Sequence, residues 1–454
     1  MTIKKVLVAN RGEIAVRIIR SCKEMGVETI AVHSKADTES LHVMIADYKV
    51  CIGPAPSNQS YLKKENLLEV AKFYNADAIH PGYGFLAEDA EFAKQCEENN
   101  IIFIGPRANH ISLMGDKIAA RETAAKVGVP IIESVENTLY IEESEINDED
   151  FPLLIKAASG GGGKGMRVVD SPNDLKSSVQ EAKQEADAAF GDSSIYIERF
   201  IENARHVEVQ VIADSHGNVI HLGERDCSIQ RRHQKLIEET PCVFISNKLR
   251  HKLYEDAIKL TSETDYLNAG TIEFLVDVDK EVHYFIEMNT RIQVEHPVTE
   301  MVTGVDIVKE QMRVASGDEL SVSQDEIKIE GHSIESRVNA EDPENNFMPS
   351  PGVINQYIVP SGLGIRVETF CYGGYKIVPF YDSMVGKVIV KGETRDEAIN
   401  KLKMTLKTFY LNGLKTTIPL HLSILENEEF KKGAFNTKWL EKSNILSSNK
   451  SVQN

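Results

Sequence analysis

The first third of the chain alternates short apolar segments with helical segments, and this order restricts the fold more than any other feature of the sequence. The predicted strands lie at 6–9, 29–33, 76–80 and 101–104, with helices at 13–25 and 89–98. Strand–helix–strand repeats of this kind build a parallel, doubly wound sheet. A dinucleotide site is not predicted, because the loop after the first strand has one glycine, Gly12, where that fingerprint needs three.

Length and charge limit the number of domains and the kind of ligand. At roughly 100–200 residues per domain, a chain of 454 residues is expected to form about three domains. Its 42% hydrophobic and 26% charged residues are typical of a soluble protein with a buried core. The 51 Lys and Arg against 69 Asp and Glu give a net charge of -18, which disfavours nucleic acid as a partner. An anionic ligand must therefore be held by local cations or by a metal ion.

The cysteines and the N-terminus indicate a cytoplasmic protein. The six cysteines are scattered and form no C-x-x-C pair, so neither a disulfide framework nor a zinc site is expected from Cys22, Cys51, Cys96, Cys227, Cys242 and Cys371. The first residues lead directly into an apolar strand and lack the apolar core of a signal peptide. No apolar run is long enough to span a bilayer, so a membrane partner is not expected.

A run of glycines lies between two predicted strands, 151–157 and 166–169. Lys164 carries the only side chain between Gly160 and Gly165. Backbone N–H groups of this run could therefore surround phosphate oxygens without steric obstruction. Lys156 and Lys164 would add positive charge. The alternative is a flexible hairpin loop, but four consecutive glycines carry a large entropic cost, which favours a phosphate-binding role.

Two glutamates are predicted to face each other across a hairpin. Strands at 271–275 and 284–289 flank a polar tip, and folding about this tip brings Glu273 opposite Glu287. Opposed like charges destabilise a strand pair unless something bridges them. Magnesium typically binds one or two carboxylates together with nucleotide phosphates, so the hairpin predicts a metal site. An ordinary half-buried strand with a solvated polar side remains an alternative interpretation.

Polar residues continue beyond this hairpin. If the chain stays extended, one side of it carries Glu287, Asn289, Arg291, Gln293 and Glu295. Ile286 and Val294 would then lie on the opposite, apolar side. The segment 230–235 is a dense basic cluster, which is either a solvated loop or, in a chain this acidic, a site for an anionic substrate. His206 and His216 have no metal-ligand spacing, and His216 is interpreted as a turn residue.

Longer strings resemble those of the biotin carboxylase family, over about residues 4–440. They are His80–Leu86, Met114–Lys117, Gly160–Gly165, Glu224–Ser228 leading into Gln230–Lys235, and Glu287–His296. The resemblance implies an ATP-grasp fold that combines α/β and α+β parts. The expected domains are an N-terminal doubly wound, Rossmann-like domain at 1–114, a central ATP-grasp domain at 115–330 with a mobile glycine-rich lid at about 131–203, a C-terminal mixed β domain at 331–446, and a tail at 447–454.

The resemblance also assigns roles to single residues. ATP phosphates would be bound by Lys117, Lys156, Gly162 and Gly163, and the rest of the nucleotide pocket would comprise Glu198, Arg199, Phe200, Ile201, His206, Gln230 and His233. Magnesium or manganese would be held by Glu273, Glu287 and Asn289. Bicarbonate would be surrounded by Lys235, Arg291, Gln293, Val294 and Glu295, and biotin would meet Arg337. The one departure from the motifs is Lys164, where other members often carry Arg.

The implied reaction is ATP-dependent carboxylation of biotin on a separate biotin carboxyl carrier protein, with bicarbonate as the carbon source and carboxyphosphate as the intermediate. Glu295 would be the general base. The resemblance further implies carboxyltransferase subunits as partners, a homodimer, and acetyl-CoA as final acceptor in fatty acid synthesis, with pyruvate or propionyl-CoA as the alternative. Two other functions remain open: an ATP-grasp ligase that forms an acyl phosphate for amide synthesis, and a catalytically silent nucleotide-binding subunit.

The chain is predicted not to carry biotin itself. A biotinylated relative would contain an Ala-Met-Lys-Met-like hairpin tip, whereas the only Lys-Met pair here, Lys403-Met404, falls within a predicted amphipathic helix at 395–409. A streptavidin blot of the purified polypeptide should therefore be negative, and a positive band would contradict the prediction.

Overall fold

The N-terminal part of the chain forms the parallel sheet that the order of strands and helices predicts. The computed structural model describes residues 2–132, 151–157, 166–443 and 445. Its first elements are β1 (Lys5–Val8), α1 (Gly12–Glu24), β2 (Glu28–Ser34), α2 (Leu41–Ile45), β3 (Tyr48–Gly53), α3 (Lys64–Phe73), β4 (Ala78–His80), α4 (Ala90–Glu98), β5 (Ile102–Phe103), α5 (Ala108–Gly115) and α6 (Lys117–Lys126). The five strands are parallel, in the order β3-β2-β1-β4-β5. Because the order reverses at β1, the sheet is doubly wound.

The segment 115–127, whose sequence predicts a helix, contains α6, which follows directly after α5. Helices α5 and α6 are separated by Asp116, whose carboxylate accepts hydrogen bonds from the N–H groups of Ile118 and Ala119 at 2.9 and 3.0 Å. Aspartate is a preferred N-cap, so the chain starts a new helix at this point. The break places Lys117 in the first turn of α6, on the wall of the central cavity.

A small antiparallel sheet follows. Its elements are β6 (Leu153–Ala157), β7 (Arg167–Val169), α7 (Pro172–Phe190) and β8 (Ile195–Arg199), with the strand order β7-β6-β8. The glycine run between β6 and β7, including Gly162 and Gly163, lies outside the described residues, as does part of the predicted lid. Leu153, Ile155 and Ile197 form a separate small core beneath α7.

The remaining elements build a larger sheet, three two-stranded sheets and several helices. They are β9 (Ala204–Ala213), β10 (Val219–Arg231), β11 (Gln234–Thr240), α8 (Asn247–Glu263), β12 (Asn268–Asp277), β13 (Val282–Asn289), α9 (His296–Thr303), α10 (Ile307–Ser316), β14 (His332–Asn339), β15 (Glu341–Asp342), β16 (Met348–Pro349), β17 (Gly352–Val353), β18 (Gln356–Ile358), β19 (Ile365–Thr369), β20 (Lys376–Ile377), β21 (Met384–Gly392), α11 (Arg395–Lys407), β22 (Tyr410–Asn412), α12 (Ile418–Glu426), α13 (Glu428–Lys432) and α14 (Trp439–Lys442). The predicted amphipathic helix at 395–409 corresponds to α11. The predicted tail at 447–454 lies outside the described residues.

Eight of these strands form one continuous sheet, in the order β13-β12-β9-β10-β11-β14-β21-β19. Strands β11 and β14 pair directly, with Ile237 opposite Ser336. The predicted domain boundary at residue 331 therefore falls between strands of a single sheet. Buried residues join the parts further: Ile14 of α1 shares a core with Ile212 of β9 and Ile307 of α10. None of the helices in the described part of the chain has the length and apolar character needed to cross a bilayer.

The shared sheet gives a stability prediction. Ile334 on β14 is 0% exposed and lies in the core that connects β11, β14 and β21. We expect Ile334→Ala to destabilise the protein by about 2–5 kcal/mol, since it leaves a cavity that the sheet cannot close. Thermal unfolding measures the effect, with Ile358→Ala as the control because Ile358 is 56% exposed. Equal shifts in the two variants would contradict the prediction.

Candidate active site

A cavity of about 1030 Å³ lies between the small sheet and the eight-stranded sheet, and it brings together nearly all of the predicted site residues. Its walls include Lys117, Lys156, Glu198, Arg199, Phe200, Ile201, His206, Gln230, His233, Lys235, Glu273, Glu287, Asn289, Arg291, Gln293, Val294 and Arg337. Glu295 lies directly behind this wall, fully buried, and is in contact with Lys235 and Arg337. Gly162 and Gly163 are outside the described residues.

Four charged side chains lie in one row across the eight-stranded sheet. Arg225 is opposite Glu208, Glu208 is opposite Glu273, and Glu273 is opposite Glu287. The predicted pairing of Glu273 with Glu287 is therefore confirmed. Directly opposed residues on antiparallel strands point to the same face and lie about 4.5–5.5 Å apart at Cβ. The row places three carboxylates beside a single guanidinium, so it requires further positive charge.

Lys235 supplies that charge from β11. Its Nζ donates hydrogen bonds to Glu208 at 2.6 Å, to Glu273 at 3.0 Å and to Glu295 at 2.7 Å. Burial disfavours the ammonium, but the surrounding acidic groups outweigh burial and hold the pKa of Lys235 well above its usual value. All three hydrogens of the ammonium take part in hydrogen bonds. Lys235 of β11 therefore connects β9, β12 and the start of α9.

Among the described residues, no lysine or arginine forms a hydrogen bond of this kind with Glu287. Burial, and next the nearby Glu273 carboxylate, raise the pKa of Glu287. Glu273 itself is stabilised as an anion: burial would raise its pKa, but Lys235 and His206 outweigh burial and lower it. Among the described residues, no side chain donates a hydrogen bond to Glu287. A divalent cation bound between the two carboxylates would relieve this repulsion, so the residues fit the predicted metal site.

A second possible metal site consists of His206, Glu208 and Glu273, because their ligand atoms lie within 4.8 Å of one another. There the Lys235 ammonium already donates to both carboxylates, which leaves little need for a metal ion. Glu287 receives no hydrogen bond from a described side chain and its pKa is raised, so the charge balance favours the predicted pair Glu273 and Glu287 as the metal site. Asn289 is adjacent, but its amide is engaged on both sides: it donates to Glu273 at 3.0 Å, and its oxygen accepts from Arg291 at 2.9 Å.

The predicted extended run from Glu287 to Glu295 is wrong beyond Asn289, where β13 ends. Glu88 turns the chain there, because its carboxylate accepts from the N–H of Thr290 at 3.2 Å and from Nε of Arg291 at 2.8 Å. Helix α9 then starts at His296. Arg291, Gln293 and Val294 still line the cavity, but from a bend and not from one face of a strand.

A β-bulge explains a second difference. The pairing of β12 with β13 shifts by one residue between Glu273 and Phe274, so Ile286 stands opposite no residue of β12. An extra residue of this kind twists the strand locally. Ile286 therefore lines the cavity beside Glu287, although strict alternation places it on the opposite side. Val294 also lines the cavity, for the reason given above.

Glu295 lies between two cations. In addition to Lys235, Nη2 of Arg337 donates to Glu295 at 2.9 Å, while Nε of Arg337 donates to Glu238 at 2.6 Å. Burial would raise the pKa of Glu295, but Lys235, Arg337 and Arg225 outweigh it and hold the pKa well below the usual range. At neutral pH Glu295 is therefore an anion that faces the two cations of the cavity.

The opposite end of the cavity contains two lysines and apolar walls. Lys156 forms an ion pair with the buried Glu198, which also accepts from Arg121 at 2.8 Å. Burial lowers the pKa of Lys117, partly offset by Glu287. Apolar side chains complete this end: four come from strands of the two sheets and two from neighbouring segments, namely Leu154, Val168, Leu275 and Ile286, with Ile132 and Met166. A flat aromatic base would fit between them, with phosphates toward the lysines.

The basic cluster is a tight hairpin whose tip is exposed to solvent. Strand β10 ends at Arg231 and β11 begins at Gln234, and the two turn residues, Arg232 and His233, have positive φ angles of 47° and 64°. Two left-handed residues are characteristic of a type I′ turn. The turn aims Lys235 into the cavity, while the side-chain amide of Gln230 meets Nδ1 of His206 at 3.1 Å.

Sequence reasoning missed several residues of the site. Glu208, Arg225, Glu88 and Glu238 hold the predicted residues in place, and Leu275 contributes an apolar wall. Glu208 could have been found from the register, since it follows His206 by two residues on the same face of β9. The contact of Glu88 with Arg291 spans 203 positions and leaves no local signal.

The N-terminal domain also reaches the cavity. The hydroxyl of Tyr83 donates to Glu13. The same carboxylate contacts Lys387 of β21 at 3.1 Å, and Lys387 donates to the carbonyl of Val294 at 2.6 Å. Gly82 permits this arrangement, because its φ is 65° and a Cβ there would lie 2.9 Å from the side-chain nitrogen of Asn10.

Comparison with known proteins decides the family. Models for the N-terminal domain of biotin carboxylase, the ATP-binding domain of the carbamoyl-phosphate synthase L chain and the C-terminal domain of biotin carboxylase match residues 2–111, 116–323 and 335–442. Biotin carboxylase 1 of Bacillus subtilis is 54% identical over 98% of this chain and 100% of its own length. The chain belongs to the biotin carboxylase family. The predicted ATP-grasp fold with three domains is thereby confirmed.

Other members of the biotin carboxylase family resemble the chain almost as strongly. A pyruvate carboxylase subunit of Methanothermobacter thermautotrophicus is 49% identical over 96% of this chain and 89% of its own length. The biotin carboxylase domain dimer of 2-oxoglutarate carboxylase from Hydrogenobacter thermophilus, solved with MgADP, ADP and bicarbonate, superposes with a TM-score of 0.93. It is 46% identical, and the match covers 98% of this chain and 99% of that one.

The unpartnered Glu287 gives a prediction for metal binding. Glu287→Gln removes the repulsion from Glu273, so in EDTA the variant should be more stable than wild type by up to about 1 kcal/mol. The Glu287 carboxyl group is neutral at low pH, so wild type and variant should be equally stable there. The difference between their free energies of unfolding should appear as the pH rises through the raised pKa of folded Glu287. The variant should also lose the rise in Tm that Mn²⁺ with ATP gives wild type.

The matched control is Glu281→Gln, at the exposed tip of the same hairpin. Differential scanning fluorimetry measures all three proteins across pH, with EDTA and with Mn²⁺ and ATP. A Glu287→Gln variant that keeps its stabilisation by Mn²⁺ and ATP would remove Glu287 from the metal site.

Proposed function

We propose that the protein is an ATP- and magnesium- or manganese-dependent ligase that carboxylates biotin on a separate carrier protein, using bicarbonate. One observation carries the proposal: a buried anionic Glu295 lies between Lys235 and Arg337, next to the carboxylate pair Glu273 and Glu287. A base, two cations and a metal-binding pair in one cavity are what the activation of a small anion by ATP requires.

The nucleotide is placed at the end of the cavity that contains Lys117 and Lys156. Apolar side chains of both sheets would enclose the adenine, next to the strand that ends in Glu198–Ile201. His206, Gln230 and His233 would complete the pocket, and Gly162 and Gly163 would cover the phosphates. A divalent ion held by Glu273, Glu287 and Asn289 would neutralise phosphate charge. The side chain of Glu198 binds Lys156 and Arg121, so the backbone of this strand remains for the base.

Glu295 is assigned the role of general base toward bicarbonate. In the free protein both Lys235 and Arg337 bind Glu295 and lower its pKa. Bicarbonate entering beside Arg291, Gln293 and Val294 would compete for these cations, which raises the pKa of Glu295 and makes it a better base. The deprotonated oxygen attacks the γ-phosphorus, the bond to ADP breaks, and carboxyphosphate forms.

Arg337 serves the second half of the reaction. Carboxyphosphate releases carbon dioxide and phosphate, and phosphate takes the proton from the ureido nitrogen of biotin. The negative charge that develops on the ureido oxygen is stabilised by the guanidinium of Arg337, which is already placed before the charge appears. The biotin nitrogen then attacks carbon dioxide. Tyr83 lines the cavity, and the buried Lys387 lies behind the wall next to Val294.

The assignment extends to partners and acceptor. A biotin carboxyl carrier protein, carboxyltransferase subunits, a homodimer and a reducing, cytoplasmic location belong to the same proposal, and all six thiols are free. Acetyl-CoA in fatty acid synthesis is the preferred final acceptor. Pyruvate or propionyl-CoA is the alternative, which the 49% identity to a pyruvate carboxylase subunit supports. The domain limits 1–114, 115–330 and 331–446 are retained as part of the proposal.

The function is tested by measuring release of ADP from MgATP. Wild type should require bicarbonate, and free biotin should accelerate the reaction and become carboxylated. Loss of a general base costs a factor of about 100 or more, so Glu295→Gln should abolish bicarbonate-dependent turnover. The variant should still bind ATP, as measured by fluorescence titration, because Glu295 does not contact the nucleotide end of the cavity.

The other candidate functions give different results in the same assay. A ligase for amide synthesis would release ADP with a carboxylate and an amine and would ignore biotin. A silent subunit would bind ATP without turnover. Unchanged turnover in Glu295→Gln, with active wild type, would exclude Glu295 as the base.

A further inference from the structure

Two acidic and two basic side chains form a compact group beneath the biotin end of the cavity. Glu238 of β11 is directly opposite Glu335 of β14, and Arg337 of β14 is directly opposite Lys387 of β21. Because Glu335 and Arg337 are two residues apart on one strand, all four point to the same face of the sheet. Glu238, Glu335 and Lys387 are 0% exposed.

Arg337 is held in this group by two carboxylates on different elements. Its Nε donates to Glu238 at 2.6 Å, and its Nη2 donates to Glu295 at 2.9 Å. The two contacts differ in one respect. In the proposed reaction Glu295 takes up a proton from bicarbonate, so its hold on the guanidinium weakens at that step. Glu238 is buried and is not among the described residues that line the cavity, and no step of the proposed reaction protonates it.

We propose that Glu238 is a positioning residue for the biotin half-reaction: it fixes the Arg337 guanidinium toward the ureido oxygen after Glu295 has become protonated. The inference rests on the proposed function and deepens it. An ionised hydrogen-bond partner at Nε restricts rotation of the guanidinium plane and leaves the Nη nitrogens for the cavity. Burial raises the pKa of Glu238 to about 7; Arg337 opposes that rise, and the charge of Glu295 adds to it. When Glu295 takes up a proton this repulsion disappears, so Glu238 is ionised at the step at which it is needed.

Glu335 provides a matched comparison. Neither of its carboxylate oxygens has a hydrogen-bond partner in the described part of the chain. Burial first, and Glu238 as a further cause, raise the pKa of Glu335 well above its usual value, although Lys387 opposes the rise. Glu335 is therefore a neutral acid, whose replacement by the isosteric glutamine changes no charge. Its contribution is to packing, whereas that of Glu238 is to the orientation of Arg337.

The test compares Glu238→Gln, Glu238→Asp and Glu335→Gln in two reactions of the full chain. One is carboxylation of free biotin, and the other is the bicarbonate-dependent release of ADP without biotin. Loss of a charge-assisted hydrogen bond to Arg337 should lower kcat/KM for biotin about tenfold or more in Glu238→Gln. KM for ATP and the rate of the biotin-independent reaction should each change by less than about twofold, well below the loss in kcat/KM for biotin. Glu335→Gln should match wild type in both reactions.

The outcomes separate the possibilities. Partial recovery in Glu238→Asp, which restores the charge, supports the positioning role. An equal loss in both reactions, or a loss in Glu335→Gln as large as that in Glu238→Gln, would overturn it in favour of a general packing role. Unchanged kinetics in Glu238→Gln would also overturn it. If wild type itself does not carboxylate biotin, the proposed function fails, and this result is distinct from the other outcomes.

Discussion

The ammonium of Lys235 is the interaction on which the rest of the site depends. It joins carboxylates from β9, β12 and the start of α9, each of which is buried and would repel the others without it. Lys235 reaches them because a two-residue turn at Arg232 and His233 ends β10 and begins β11. A short local turn thus determines the charge balance of the whole cavity, and with it the ionisation of Glu295.

The charged row across the sheet divides into two parts with different purposes. Arg225 and Glu208 are fully buried and satisfied by each other and by neighbouring side chains, so this part stabilises the fold. Glu273 and Glu287, at the other end, are only partly compensated: Lys117 opposes the rise in the pKa of Glu287, but no side chain in the described part of the chain donates a hydrogen bond to Glu287. The uncompensated charge lowers stability at the position where a metal-bound nucleotide would offset it, as is common at functional sites.

Much of the fold and the site could be predicted from the sequence. The alternation of strands and helices predicted the parallel sheet, and the spacing about the polar tip predicted the pairing of Glu273 with Glu287, because both patterns are local. The end of β13 at Asn289 and the exposure of Ile286 to the cavity could not be predicted. The first depends on Glu88, about 200 positions away, and the second on a bulge that depends on the register of the neighbouring strand. The supporting roles of Glu208 and Glu238 likewise arise only when distant strands become neighbours.

The continuity of the eight-stranded sheet has a mechanical consequence. Lys235, Glu273, Glu287 and Arg337 all extend from its strands, so the spacing between the phosphate-activating end and the biotin end is set by a hydrogen-bonded floor. The three-stranded sheet shares no strand with that floor and forms a separate roof. Movement of the three-stranded sheet to admit or release nucleotide would therefore leave the distance between the two reaction centres unchanged. An unstable intermediate formed at the phosphate-activating end would then always reach the biotin end over the same distance.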